Sequence, residues 1–355
     1  MKSIFISEDI NLRSDAVKQK EHLSSQRELV LNLQDVRSLL INSIIPSLEF
    51  CRDRFSTSST ECSANYRLPI SSAGSEAIKG TVTRCGSSLE KLDIIVKLHK
   101  INRGSSIRLR YAESEASHMN QIIDCVSFIT EITEALQRIG DTSIPSLEPT
   151  CPSEHTNNND NMETDKPEAL LFSSARLIHF TILEALSSLR SALRVIKDPP
   201  SPESKFIFPQ CVSAPELFSP PASKELVVDW YIWDGSVVMD LRVIQYLQHG
   251  SASSGEIHNH EDSKEDTSSS KFKNIWDRGL AIINQSLDLD NHQVLNETDG
   301  VYTLPSGDQV KVVERVRIKS QDPSLISTKA KLEACESALG SMVRNLDTLL
   351  ECLCN

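Results

Sequence analysis

Five leucines near the C-terminus, Leu325, Leu332, Leu339, Leu346 and Leu353, recur every seven residues. A strict seven-residue repeat keeps one seam of a helix turned toward a neighbouring helix. Asp322 and Pro323 stand just ahead of the run, as an N-cap and a first-turn proline that start a helix reaching the C-terminus. Two arrangements satisfy such a seam, a zipper between two chains or a bundle within one. The companion heptad positions are Lys329, Glu336, Val343 and Leu350, so half of the would-be seam is charged, while Cys335, Met342 and Leu349 widen the stripe on its other side. A wide stripe beside a half-charged seam favours the intramolecular bundle.

Three further segments have the periodicity to complete that bundle. In the first, Leu29, Leu33, Val36, Leu40, Ile44, Leu48 and Phe55 share a face, and Pro46 predicts a kink or break because it lacks an amide donor. The second runs from about Ala112 to Ile139 through Met119, Ile122, Val126, Ile129 and Leu136, with Gly140 at the natural C′ position. The third starts near Pro167, carries Leu171, Ala175, Ile178, Ile182, Ala185, Leu189, Leu193 and Ile196, and stops at Asp198-Pro199-Pro200.

Strand signals lie between the helices. One group comprises Tyr66 to Ile70, Ile78 to Arg84, Leu89 to Leu98 and Ile107 to Tyr111. Another comprises Leu226 to Trp233 and Ser236 to Leu247, joined by Asp234-Gly235, a type I′ hairpin signal. Val301 to Leu304 and Gln309 to Ile318 predict a further hairpin turning through Pro305 to Asp308. In its second arm Val310, Val312, Val316 and Ile318 alternate in part with Lys311, Glu314, Arg315 and Arg317, which predicts an antiparallel sheet with one wet face. The expected fold class is therefore α+β. A helical bundle domain draws on 8–55, 112–140, 167–197 and 322–355, and an antiparallel β domain on 65–111 and 205–248 with 292–320. Residues 141–166 and 249–271 are acidic and polar and are expected to be disordered loops; 272–298 reads equally as a short helix or a strand.

Composition narrows the function classes. The 37 basic residues against 49 acidic ones leave a formal charge of −12, and no basic run offers the dense cationic face that duplex binding needs, so nucleic acid is not an expected partner. No run of about 18 apolar residues predicts a membrane span, and Met1 to Leu12 lacks a signal-peptide core. Nine scattered cysteines, an odd number, suit reduced, buried thiols and a cytoplasmic location. There is no glycine-rich phosphate loop, no His-Glu-x-x-His, no Cys-x-x-Cys and no Gly-x-Ser-x-Gly.

The nearest metal-like pairs are His258 with His260 and Cys352 with Cys354, and neither offers four converging ligands. His179 reads as a structural histidine. Glu113 with Glu115, and Glu131 with Glu134, read as solvated faces. Trp230, Tyr231 and Trp233 read as core and sheet-pairing residues rather than a binding patch. Ser201-Pro202 and Ser219-Pro220 are candidate sites for proline-directed phosphorylation, with turn chemistry the simpler reading. The expectation is a chain with no catalytic, cofactor or metal residues: not an enzyme.

Three landmarks, in order, resemble the Rogdi family. They are Ile78-Lys79-Gly80-Thr81-Val82-Thr83 with the following strand and a helix bearing Gln121-Ile122-Ile123; Leu217-Phe218-Ser219-Pro220-Pro221 leading into Lys224 to Ile232; and the Val301-to-Ile318 hairpin feeding the Pro323 helix. The resemblance implies a helical bundle joined to a β domain, and a non-enzymatic scaffold subunit of a RAVE-like complex that promotes assembly of the vacuolar proton-transporting ATPase. The implied partners are a large β-propeller RAVE subunit, an Skp-type adaptor and cytosolic-sector subunits of the ATPase. Peripheral recruitment to vacuolar or endosomal membranes would come only through those partners. The alternative, from the leucine repeat, is a zipper-type nuclear or DNA-associated protein, which here lacks the basic region that precedes such a zipper.

Overall fold

The computed structural model describes residues 2–55, 65–72, 77–113, 115–141, 165–247 and 300–354. The expected acidic loops, the 272–298 segment and the His258/His260 pair fall almost wholly outside these residues. The chain is α+β. Helix α1 (Lys2–Leu39) passes through a π-helical turn (Leu40–Ile44) into α2 (Ile45–Asp53). Pro46 therefore widens the helix rather than breaking it. It has no N–H to return, and the Ile45 N–H reaches back five residues to the Leu40 carbonyl.

Strands β1 (Tyr66–Ser71), β2 (Ile78–Cys85), β3 (Ser88–Val96) and β4 (Ile107–Arg110) form an antiparallel sheet in that order. The short β5 (Ser117–His118) pairs with the start of β3. Gly80 is required there: a Cβ would lie 2.1 Å from the Asp93 carbonyl oxygen on β3. Helix α3 (Asn120–Asp141) begins eight residues later than the sequence pattern suggests. The Ala112 N–H is taken by the Leu217 carbonyl, Ser117 and His118 sit in the β3 ladder, and the Met119 N–H goes to the Ser87 carbonyl, so the helix starts only at Asn120. Gly140 lies inside this helix, not past its end, and its carbonyl accepts a hydrogen bond from Arg37.

Helix α4 (Asp165–Lys197) is followed by a strap, residues 198–225, that crosses the second sheet. That sheet consists of β6 (Leu226–Trp233), β7 (Ser236–Tyr246), β8 (Val301–Thr303) and β9 (Gln309–Gln321), in the order β6-β7-β9-β8. Asp234 and Gly235 both have positive φ, 51° and 68°, as a type I′ turn demands. Helix α5 (Pro323–Cys354) closes the chain against α1, α2 and α4.

The five heptad leucines of α5 are buried within this bundle. The two charged companions point to partners in the same chain: Lys329 pairs with Asp234 of the hairpin and Glu336 with Arg190 of α4 at 2.9 Å. The segment Glu168–Lys197 is long and apolar enough to cross a membrane, but its buried stripe, including Leu171, Ile178, Ile182 and Leu189, packs against α3 and α5. One apolar cluster runs through the bundle, the first sheet and the inner face of the second sheet.

The outer face of the second sheet departs from expectation. Leu226 to Ile232 and Ser236 to Ile244 are buried on both faces, because the strap lies over the side that the alternating pattern predicts to be wet. A second apolar cluster forms there from Phe208, Val227, Ile244, Leu304, Val310 and Val312. In β9, Val313 is a bulge: Ile244 pairs with Val312 and the adjacent Val243 with Glu314. The bulge switches the face that even-numbered residues present. Val310 and Val312 thus join the outer cluster, while Val316 and Ile318 join the main core.

Candidate binding cleft

Two buried ionic centres stand out. The first joins sheet to bundle. Arg84, on β2, and Asp322, just ahead of α5, are both fully buried. Arg84 Nε donates to Asp322 Oδ2 at 2.5 Å and its Nη2 to Oδ1 at 3.2 Å, while Nη1 donates to the Gly86 carbonyl. Its guanidinium also lies 4.9 Å from the Tyr66 ring centroid. Asp322 Oδ1 accepts the N–H groups of Ser324 at 2.8 Å and Leu325 at 3.2 Å. The cap legible in the sequence is thus also a two-pronged ion pair, with charge matched one to one.

The second centre lies on the outer face of the second sheet. The register sets Asp229 opposite Asp240, Asp240 opposite Arg317, and Arg242 opposite Arg315. Like charges directly across from one another are unfavourable alone. The side chains resolve this by bonding diagonally. Arg242 donates to Asp229 and, through Nη2, to Asp240 at 2.8 Å. Arg315 donates to Asp240 twice, at 3.0 and 2.7 Å, and Arg317 twice at 3.4 Å. The Phe208 N–H, from the strap, donates to Asp229 at 3.2 Å.

The two aspartates respond oppositely to burial. Desolvation raises the Asp229 carboxyl to about 6, since Arg242 and the Phe208 N–H offset it only in part. Asp240 suffers the same desolvation, but the hydrogen bond from Arg315 and the charges of three guanidiniums outweigh it, and its pKa is lowered. Burial, then the charge of Asp240, pushes the Tyr231 hydroxyl up to about 12.

A cleft of about 320 Å³ opens onto this centre. Arg242, Arg315, Arg317 and Asp240 form its floor, Tyr231, Trp233, Phe208 and Tyr302 its aromatic wall, and prolines 199, 200, 202 and 209 its strap side. A larger cavity of about 460 Å³ lies across the strap, between the start of α3, the end of α4 and the edge of β6. Gln121 governs that edge. Its Oε1 accepts the Ile232 N–H at 2.6 Å, and its Nε2 faces the carbonyls of Ile232, Val195 and Asp198 at 2.8–3.2 Å. The side-chain amide thereby acts as a one-residue neighbouring strand.

The sequence candidates fall as follows. Tyr231 and Trp233 line the cleft, with Trp233 38% exposed, whereas Trp230 is buried in the main core. His179, on α4, has its Nε2 2.7 Å from Asp347 Oδ1 on α5, near enough for an ion pair but without hydrogen-bond geometry. Ser201 lines the larger cavity, and Ser219 donates its N–H to the Arg110 carbonyl. Cys352 is exposed, and the Cys354 side chain lies outside the described residues. Cys51 and Cys125 are buried, and desolvation is the main reason each is raised to about 12, which makes them poor nucleophiles. Among the described residues no group of three His, Cys, Asp or Glu side chains is placed to hold a metal.

Sequence reasoning reads Arg315 and Arg317 as members of a wet strand face and passes over Arg242. The available signal is the pair Asp229 and Asp240, single acids inside otherwise apolar strand runs, which call for buried cationic partners.

Comparison with curated proteins finds no match. The family described as Rogdi leucine zipper containing protein matches residues 33–347, from within α1 through most of α5. That match spans most of the chain and takes in every landmark that carries the resemblance, so the chain belongs to the Rogdi family.

Proposed function

We propose that the chain is a non-enzymatic scaffold subunit of a RAVE-like complex, promoting return of the cytosolic sector of the vacuolar proton-transporting ATPase to its membrane sector. Its partners in this reading are a large β-propeller subunit, an Skp-type adaptor and ATPase cytosolic subunits. It works in the cytoplasm and reaches vacuolar or endosomal membranes through those partners. Family membership supports the reading. The structural observation that favours it is the outer side of α4, where Leu170, Leu177, Phe180 and Leu183 are 44–59% exposed although the opposite face is fully packed. Contiguous exposed apolar side chains on a helix are a surface that partner proteins cover. A scaffold that holds two heavy partners lowers the entropic cost of their meeting.

The burial of all five heptad leucines against the chain's own helices favours this reading over a zipper-type DNA-associated protein. Affinity purification of the tagged full chain under gentle lysis should recover a large propeller protein and cytosolic ATPase subunits. Leu177→Asp combined with Phe180→Asp should reduce their recovery at least several-fold while leaving the helical circular dichroism intact. Recovery of neither partner class by the unmodified chain would overturn the proposal.

A further inference from the structure

The first sheet keeps the wet face that the second sheet loses to the strap. Its even-numbered side chains, among them Leu68, Val82, Ile94 and Leu109, enter the main core, so the odd-numbered ones point outward. Six of the outward residues are cations, all exposed: Arg67 on β1, Lys79 on β2, Lys91 on β3, Lys97 just past it, and Arg108 and Arg110 on β4. Lys97 stays in line with the sheet because its N–H donates to the Ala77 carbonyl. The six are scattered over 44 positions of the sequence, from 67 to 110, which is why no basic run announces them.

Few of these charges are neutralised. Asp93 is the acid of the outward set, and it is engaged by Arg108, through Nε and Nη2 at 2.7 Å, and by Arg110 Nε at 3.4 Å. Arg67 donates to the Thr81 hydroxyl at 3.3 Å. Among the described residues no carboxylate pairs with Lys79, Lys91 or Lys97. The other acid of these strands, Glu90, is the spare residue of the β2–β3 bulge and hydrogen-bonds with the Cys85 thiol. Six cations therefore stand against two acids, in a chain whose net charge is −12. The register keeps the cations apart: Thr83 lies between Arg67 and Lys91, and Ile95 between Lys79 and Arg108.

The shape of the face selects among anionic partners. Four strands spread the charges over about 14 Å across, and Lys91 to Lys97 covers about 20 Å along β3. The cavities described above are lined by other residues, so the face offers no pocket to a small anion. The outward residues include no aromatic ring on which a base could stack and no projecting helix to enter a groove. An acidic peptide follows a line, whereas these cations cover a plane. Ile95, near the middle of that plane, is 48% exposed. We propose that the outer face of the first sheet lies against an anionic lipid leaflet, with Arg67, Lys79, Lys91 and Lys97 at the headgroups. Basic side chains held near such a surface attract it cooperatively. The inference does not rest on the assembly reading. There partners bring the chain to a membrane; here the chain adds a contact of its own.

The test is co-sedimentation of the purified full chain with vesicles of phosphatidylcholine, alone or with about 30% phosphatidylserine. Binding to the anionic vesicles is expected at about 0.05 M salt, with a loss of about tenfold or more at about 0.5 M, where screening shortens the reach of the charges. Lys79→Gln, Lys91→Gln and Lys97→Gln together should weaken it about tenfold or more. The same change at Lys18, Lys205 and Lys224, exposed on other surfaces, should alter it by no more than about twofold. If the first triple variant loses its native circular dichroism, Lys79→Gln with Lys97→Gln replaces it, with a weakening of about threefold or more expected. Absence of binding to the anionic vesicles at low salt would overturn the proposal, and so would equal weakening by the two triple changes. Binding to a polyglutamate peptide or to duplex DNA without binding to the vesicles would assign the face to another partner and overturn it as well.

Discussion

The two buried ionic centres use the same residue types to opposite ends. At Arg84 and Asp322 one cation meets one anion, both out of solvent, and every strong donor and acceptor has a partner in the backbone or the opposing side chain. At Asp240 three cations converge on one anion with a second beside it, and the assembly opens onto a cleft. The first arrangement is closed and joins two parts of a fold. The second is open on one side, where the Arg317 side chain is 23% exposed. The acids are buried at both centres, and it is the partial exposure of the cations that separates the second from the first.

The sharpest way to break this comparison is to orphan a charge at the closed centre. Asp322→Ala should lower the stability of the full chain by about 3–5 kcal/mol in urea denaturation, since it strands a buried guanidinium and removes the α5 cap. Asp322→Asn should cost less, because the cap acceptor survives. Equal losses for the two variants would mean that the cap contributes little.

A pH series probes the open centre. The Asp229 carboxyl is raised from 3.8 to about 6, so the stability tied to its protonated form is complete below about pH 4 and is lost as pH rises through about 6. Relative to Asp229→Asn, the wild-type chain should therefore gain about 2–3 kcal/mol on going from pH about 7 to about 4. A flat difference between the two would remove the contrast between Asp229 and Asp240. The smallest effect belongs to Arg317, the most exposed of the three guanidiniums. Arg317→Ala should change stability by no more than about 1 kcal/mol in the same denaturation assay, and a loss as large as that of Asp322→Ala would make the two centres alike.

Much of the fold was legible from local pattern. The β6–β7 hairpin appears almost residue for residue, because an Asp-Gly pair between apolar runs specifies both turn and register. The Asp322-Pro323 start and the leucine seam of α5 also hold, and the charged seam positions find their partners within the chain. What was not legible depends on chain segments far apart in sequence. Helix α3 carries its apolar period back through Met119, so periodicity alone does not reveal that Ser117 and His118 form β5 and pair with β3. Arg84 and Asp322 are 238 residues apart. The cleft requires Arg242, Arg315 and Arg317 to be brought together by the β7–β9 register, and then roofed by a strap with no strand or long-helix pattern of its own. In the landmarks, by contrast, physical reasons now attach to single residues: Gly80 admits the close approach of β3, and Gln121 occupies the open edge of β6.

The Val313 bulge carries a consequence for how the gene can change. Val310, Val312, Val316 and Ile318 look like one continuous stripe on paper, yet they serve two different oily compartments because β9 carries one spare residue between them. Val312 and Val313 are identical neighbours, so excising either leaves the same chain and a regular ladder in which every other side chain keeps its orientation, whereas excising Val310 or Val316 would bring a charged neighbour into one of the two compartments. Of the single-codon losses within this part of the strand, the loss of one of these two valines is the one that the fold can absorb.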